Sequence, residues 1–358
     1  MTRFSIAVPI GAWHPLMKDC LESLICQDVP MEIAVLDASA DSRTADLVDQ
    51  YRDQICYVRT GPDGGQSDAI IEGWANTSGD VLGWLNADDA LAPGALAKAA
   101  RRLDAEPSLD AVYGHSLIIN ESEEITGYHW AVEPPSDKLL KDCIISQPSC
   151  FFRRLSYEAV GGLDQDLHYT MDWDLWIRMY RAGQTFGFID DVLSRVLWAK
   201  DTKTGQFNKD RRRELNRLIN QNSRLRDRVN SKIGFFVHHQ LQKPAFKRLQ
   251  SPANKLMAPA AYPINGISRD GEILSSARLP LFHYRKSMRR VQVKISGRPG
   301  TKVDARLEGG SDTTHTIAED GSGRLNLDCS IPAGTISVLD IVADSADGAW
   351  FGSLNFED

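Results

Sequence analysis

The sequence predicts an α/β protein: a mixed, mostly parallel sheet flanked by helices, followed by a basic helical segment and a small C-terminal β-sandwich. Three observations predict it. In the first hundred residues, short apolar strands alternate with amphipathic helices, the pattern of βαβ units. After residue 200 the charge balance turns strongly basic. From about residue 267, short alternating runs appear, separated by Gly and Asp turns roughly every 8–12 residues, as in antiparallel sandwiches.

Taken in order, FSIAVPI at 4–10 is a short apolar strand. Residues 16–26 place Leu16, Cys20, Leu21, Leu24 and Ile25 on one helical face. EIAVLD at 32–37 is a second buried strand, and 44–51 reads as a helix capped by Ser42 or Thr44. Residues 55–59 form a third strand. The Gly-rich turn GPDGG at 61–65 leads into a helix over 67–77, and a fourth strand at 80–85 ends in the polar cluster 86–89. Further strands are expected at 111–120, 147–153 and within 185–198. Residues 172–182 form an amphipathic helix with Trp173, Trp176, Ile177 and Tyr180 on its apolar side, and 207–230 reads as a basic, polar helix. VQVKIS, KVDARLE, RLNLDCS and ISVLDIVAD are strands of the sandwich. The expected division is 1–200 for the α/β domain, 201–262 for a basic helical extension or linker, and 263–358 for the β-sandwich, with a boundary near 260–266.

With 358 residues, 42% apolar and 25% charged, the chain has the composition of a globular protein, and wholesale disorder is excluded. A net charge of −7 argues against a dedicated nucleic-acid binder. The charge is uneven: residues 200–250 hold 14 Lys/Arg against 4 Asp/Glu, a local +10 that leaves −17 on the rest. Within that stretch GFFVHHQLQKPAFKRL interleaves Phe235, Phe236, Val237, Leu241 and Phe246 with Lys243, Lys247 and Arg248. Two readings stand side by side: peripheral contact of 200–250 with an anionic membrane surface, or a solvated helix packed on the α/β domain or on a second subunit of a homo-oligomer. Six cysteines without a Cys-x-x-Cys pair, mostly in apolar runs, imply free buried thiols in a reducing compartment, with no disulfide framework and no zinc site. MTRFSIAVPI lacks the apolar core of a signal peptide, and no run of about 18 apolar residues occurs, so a cytoplasmic protein is expected, at most peripheral to the inner face of the membrane.

In open α/β sheets, ligands bind beyond the carboxyl ends of the strands. The polar residues there form one set: Pro9, Gly11 and Ala12 after the first strand, Asp37 at the end of the second, Asp63–Gln66 after the third, and Asn86, Asp88 and Asp89 after the fourth. Carboxylates in such a place suit Mg²⁺ or Mn²⁺, which bind one or two carboxylates together with substrate phosphates.

The segments AVPIGAWHP, AVLDASAD, GPDGGQSDAIIEGW, GWLNADD, ISQPSCFFRR and MDWDLWIRM, in that order over roughly residues 4–200, resemble the family 2 glycosyltransferases, inverting enzymes of the GT-A (Rossmann-like) fold. The resemblance implies a nucleotide-sugar donor, with UDP as default, a divalent cation (Mn²⁺ or Mg²⁺), and a glycan or polyprenyl-linked glycan acceptor in bacterial surface polysaccharide synthesis. It implies Asp172 as the catalytic base and Asp88 as the metal ligand. It places Pro9, Gly11, Asp37, Gly65, Gln66, Asp68, Asn86 and Ala87 at the donor, with Asp37 recognising the base, and Gln147, Trp173 and Asp174 on the acceptor side. The chain departs from the family in two places: Ile71 stands where Asn is common, and LWAKDTKT, with Ala199 and Lys200, lacks a frequent His.

Each position also has a plainer reading. Residues 86–89 cap the helix near Pro93, Asp37 makes an Asx-turn before Ser39, Asp172 and Asp174 cap their helix, and Trp173 and Trp176 are core rather than sugar platforms. His115 is structural. Trp350 and Phe351 are sugar platforms or core. Two other functions stay open. One is a catalytically degenerate nucleotide- or carbohydrate-binding protein whose β domain is the working part. The other is a nucleotidyltransferase, although the basic Gly-rich loop expected after the first strand is absent from PIGAWHP.

Overall fold

The computed structural model describes residues 2–129, 131, 137–199, 202–203, 208–223, 227–229, 232–233, 265–268, 271–285, 287–344 and 348–357. The chain divides into two compact units, Met1–Ser116 with Ala131–Ile233, and Leu117–Trp130 with Gly234–Asp358. The second unit thus takes in a short stretch from inside the expected 1–200 domain, and the first unit extends past residue 200.

The first unit opens with β1 (Phe4–Ile10), buried along its whole length, as a central parallel strand covered on both faces should be. There follow α1 (Met17–Ile25), β2 (Met31–Asp37), α2 (Ser42–Gln50), β3 (Tyr57–Thr60), α3 (Gln66–Ala75), β4 (Val81–Trp84), β5 (Ala90–Leu91) and α4 (Ala95–Ala105). β6 (Ala111–Ile119) carries the chain towards the second unit, where β7 (Ile125–His129) lies. The chain returns as β8 (Cys150–Arg153), α5 (Arg154–Ala159), α6 (Met171–Arg181), β9 (Phe186–Leu197) and α7 (Lys209–Asn222). The sheet order is β3-β2-β1-β4-β8-β6. The first four strands are parallel; β8 is antiparallel to β4 and β6, and β5 pairs antiparallel with β9. Ile10 lies opposite Asp37, and Asp37 opposite Thr60, so the strand ends that carry the polar residues share one edge.

Several local expectations are corrected. α2 is capped by Asp41, whose carboxylate accepts from the Arg43 N–H, and not by Ser42 or Thr44. The expected strand at 147–153 begins as a 3-10 turn over Gln147–Ser149, where Pro148 removes a ladder donor. Of the basic helix expected over 207–230, α7 spans Lys209–Asn222, and residues 227–229 are also helical. α7 packs through Glu214, Leu215, Leu218 and Ile219, the solvated-helix reading for this part of the basic stretch. Lys200, the GFFVHHQLQKPAFKRL segment and most of the 201–262 extension lie outside the described residues. All six cysteines are free, but Cys26 and Cys56 are exposed rather than buried. Among the described residues no helix is long and apolar enough to cross a membrane.

In the second unit, β10 (Ser276–Phe282), β11 (Met288–Gly297), β12 (Lys302–Leu307), β13 (Asp312–Thr316), β14 (Ser322–Ile331), β15 (Ile336–Ala343) and β16 (Ala349–Glu357) join β7 in two antiparallel sheets, β14-β11-β16-β7 and β10-β15-β12-β13. Burial alternates along β12 and β14: Val303, Ala305 and Leu307 are inside, as are Leu325 and Leu327. This is the period-2 pattern of the expected sandwich. Phe351 is core. The His283 imidazole and the Arg285 guanidinium, 3.1 and 2.7 Å from the Glu123 carboxylate, hold its pKa down to about 2.

α3 sits on β1 and β2 through Gly73. A Cβ there would lie 2.8 Å from Leu36 Cδ2, 3.1 Å from Ala7 Cβ and 3.3 Å from Ala34 Cβ. Gly73→Val is expected to destabilise the protein by roughly 1–3 kcal/mol, the usual cost of overpacking, read as a lower midpoint in urea.

Candidate functional site

The parallel strands deliver their polar ends to one edge. Pro9 is buried within β1, and Gly11 just beyond it is exposed, with no atom within 4 Å of where a Cβ would stand. Asp37 closes β2 and is buried. Its Oδ1 accepts from the Ser39 N–H at 2.8 Å, so the Asx-turn forms, and among the described residues no donor bonds Oδ2. The turn after β3 is self-braced: Asp63 accepts from the Gly65 N–H and pairs with Arg59, while Asp68 accepts from the Gly64 N–H. Gly65 has a φ of +116°, a conformation costly for residues with a side chain.

A chain of side-chain bonds begins where α3 starts. Gln66 Nε2 donates to Asn86 Oδ1 at 2.6 Å. Asn86 Nδ2 donates to Asp89 Oδ2 at 3.0 Å and approaches Gln147 Oε1 at 3.5 Å, and Gln147 Nε2 donates to the Trp84 carbonyl. The capping alternative for 86–89 does not hold, since the cap of α4 is Gly94, without a side-chain bond. Ala87 is buried. Asp89 also accepts from the Leu197 N–H, and burial together with the Asp88 charge pushes its pKa well above the carboxylate range. Asp88 differs. Among the described residues, no donor of another residue bonds its carboxylate. Burial raises its pKa, and the neighbouring His14 opposes that shift. His14 itself accepts from the Leu16 N–H.

The start of α6 meets the start of α3. Ser67 Oγ lies 2.8 Å from Met171 Sδ and 3.3 Å from the Leu167 carbonyl, and His168 Cε1 stands 3.7 Å from where a Gly65 Cβ would be. Asp172 sits in this first turn. Its Oδ1 accepts from the Trp173 N–H at 2.7 Å, a partial cap, and desolvation pushes its pKa up to about 6 against the opposing pull of Arg211. Asp174 turns elsewhere, into an ion pair with Arg178 at 2.7 Å. The sugar-platform reading of the tryptophans is corrected. Trp173 and Trp176 are 1% and 0% exposed; Trp173 Nε1 donates to the Leu139 carbonyl, and Trp176 stacks on Trp84 at 6.1 Å. Their rings are core because the first turn of α6 is buried on that face. His115 is buried and lies 3.1 Å from Asp190. Ile71, one of the two family departures, lines an open groove with Tyr157 and 161–166.

Three residues at this site escape a motif reading. Lys203 Nζ donates to Gln66 Oε1 at 2.6 Å and to the His168 carbonyl at 3.2 Å. As a residue it is exposed, yet desolvation of its ammonium group lowers its pKa below the ordinary lysine value. Arg211 of α7 faces Asp172, and burial lowers its pKa too. Glu214 of α7 bonds the loop before Asp172. Only the basic run after residue 200 hinted at them. Because the folded pKa of Asp172 lies above that of a free carboxyl, its contribution to stability is fully present below about pH 4 and is lost as pH rises through about 6. Asp172→Asn removes the buried charge. It is expected to raise stability at pH 8 by on the order of 1–3 kcal/mol, and by much less at pH 4, in denaturant titrations at the two pH values.

Part of the chain is similar to known proteins. Residues 5–160 match the model of the family described as "Glycosyl transferase family 2". An uncharacterized glycosyltransferase of Rickettsia typhi is 27% identical over 216 residues, covering 56% of this chain and 66% of that protein. An O-antigen biosynthesis protein of Myxococcus xanthus is 27% identical over 199 residues, covering 53% of this chain and 15% of that protein. The chain thus spans less than two thirds of the length of these relatives. Among solved structures, TarS 1–349 of S. aureus in complex with UDP-GlcNAc is similar at 16% identity, with a TM-score of 0.48 over 73% of this chain and 82% of that one. From β1 through α5, the segment that carries Asp37 and Asn86–Asp89 is thus similar to the glycosyltransferases of family 2.

Proposed function

We propose that the protein transfers a sugar, with inversion, from a nucleoside diphosphate donor to a hydroxyl of a glycan or lipid-linked glycan during surface polysaccharide synthesis. The observation that carries this is Asp172. It is a desolvated carboxylate at a helix start, joined through Met171, Ser67 and Gln66 to Asn86 and the Asp88 turn. The Myxococcus relative, an O-antigen biosynthesis protein, favours a polysaccharide acceptor.

The donor side has the chemistry a nucleoside diphosphate needs. The starts of α3 and α6 present N–H groups and the positive ends of two helix dipoles. Lys203 and Arg211 add positive charge beside them. The free carboxylate of Asp88 fits a hard divalent cation, because it is partly buried and unbonded to any donor of another described residue. Asp88 would hold Mn²⁺ or Mg²⁺ together with the donor's phosphates. When bound, that ion supplies Lewis-acid stabilisation of the leaving diphosphate. Asp37 Oδ2 would accept from an N–H of the base, and Gln66 and Asn86 would orient the ribose or phosphates.

At neutral pH a carboxyl with a pKa of about 6 is mostly ionised and still a competent base. Asp172 takes the proton of the acceptor hydroxyl. The hydroxyl oxygen bonds to the anomeric carbon from the face opposite the phosphate. The bond from that carbon to the phosphate oxygen breaks, and its electron pair leaves with the diphosphate. Displacement from the opposite face inverts the anomeric centre.

Calorimetry with UDP, dTDP, GDP and CDP, each with and without Mn²⁺, tests the donor side. One nucleotide is expected to bind only with the ion, and Asp88→Ala to abolish that binding. No binding of any nucleotide to the wild-type protein overturns the proposal. With the nucleotide-sugar so selected, Asp172→Asn is expected to slow release of the diphosphate by about 10²–10⁴-fold while nucleotide binding persists. The wild-type rate should fall as pH drops below about 6, since protonated Asp172 cannot take the proton of the acceptor hydroxyl.

A further inference from the structure

α7 lies beyond the segment that matches the family, and its sequence reads as a solvated basic helix. One of its acidic residues is turned inward. Glu214 is only 8% exposed. Its Oε1 accepts from the His168 N–H at 2.9 Å. Its Oε2 accepts from the Tyr169 N–H at 2.8 Å, and from the Thr170 N–H and Thr170 Oγ1 at 3.1 Å each. Four donors from three consecutive residues thus converge on one buried carboxylate. Thr170 is the N-cap of α6 and makes no side-chain capping bond within its own helix. A negative charge at that end is also favoured by the helix dipole.

We infer that Glu214 is a positioning residue: its carboxylate ties the backbone of 168–170 to α7 and so fixes the helix start from which Asp172 faces the site. The same loop gives its His168 carbonyl to Lys203, which in turn holds Gln66. α7 is itself anchored: Asn208 caps it, Arg217 lies 3.8 Å from Asp164, and Ser223 Oγ donates to the Leu140 carbonyl. The clamp therefore connects two anchored elements. This inference rests on Asp172 acting as the base, and its test does not depend on turnover.

The charged and titratable groups facing Asp172 are Glu214 and Arg211 of α7, Lys203, and the thiols of Cys143 and Cys150. Glutamine at 214 has a single acceptor oxygen, and its amide N–H₂ opposes the backbone donors. The experiment is an NMR titration of protein carbon-13-labelled at the aspartate carboxyls, with the Asp172 signal assigned by its loss in Asp172→Asn. In Glu214→Gln the Asp172 titration is expected to move down by about one pH unit, because a like charge is gone and the loosened turn admits water. An unmoved Asp172 titration in a folded Glu214→Gln protein overturns the inference. If that variant melts too low to titrate, Glu214→Asp keeps the charge and shortens the reach. It is expected to give a smaller downward shift and about tenfold faster amide exchange at 168–170, and unchanged exchange and titration overturn the inference. Failure of the transferase proposal looks different: the wild-type protein then binds no nucleotide while the Asp172 shift on Glu214→Gln persists.

Discussion

Where the candidate site can stand depends on a knot of aromatic rings under the sheet edge. Trp74 of α3 meets Trp84 of β4 at 5.8 Å, Phe152 of β8 at 5.6 Å and Tyr157 of α5 at 5.0 Å. Trp176 of α6 stacks on Trp84 and meets Phe152 edge-on at 5.3 Å. Such pairs each add about 0.5–1.5 kcal/mol beyond the area they bury. More important is their geometry. Trp74 and Trp176 pin two helices to the same two strands, and Trp74 Nε1 is satisfied by the Gly83 carbonyl. Once those helices are seated, their first turns meet, and Ser67 bonds Met171.

That convergence explains the electrostatics. Two helix starts bring their first-turn N–H groups and dipole ends to the edge where Asp37 and Asn86–Asp89 end their strands, and two cations, Lys203 and Arg211, stand beside them. Three carboxyls there, Asp88, Asp89 and Asp172, are all pushed above their ordinary range, with desolvation as the leading cause. A fold selected for stability alone would not gather buried acids in this way, and their cost points to a working site. Arg195, bonded to Asp19 at 2.5 Å with both side chains buried, draws Asp89 the other way and limits that cost.

The parallel order of strands and helices was legible in the sequence because it rests on short-range periodicity: every residue of FSIAVPI is apolar or small, and it is buried throughout. The strand-end acids were legible too, since a parallel sheet must deliver its carboxyl ends to one edge. Local capping was harder to see. Asp41, Ser42 and Thr44 can all cap α2, and only the extended backbone at Asp41 selects it. The tryptophans of α6 show the limit of pattern: Trp173 and Trp176 have the spacing of a core face and equally the chemistry of a sugar platform, and burial alone decides for core.

What the sequence determined by itself was the alternation of strands and helices over the first hundred residues and the acidic strand ends, with Asp88 and Asp172 as the acids proposed to work there, because these follow from nearest-neighbour patterning and from motifs a few residues long. What only the tertiary structure decided was which groups surround them. Glu214 is 42 residues from Asp172 in sequence and sits in a helix whose composition marks it as solvated. Lys203 is 137 residues from the Gln66 side chain it holds. Hydrogen bonds between such distant residues depend on how whole helices are seated by their buried faces, and no local pattern of residue types carries that information.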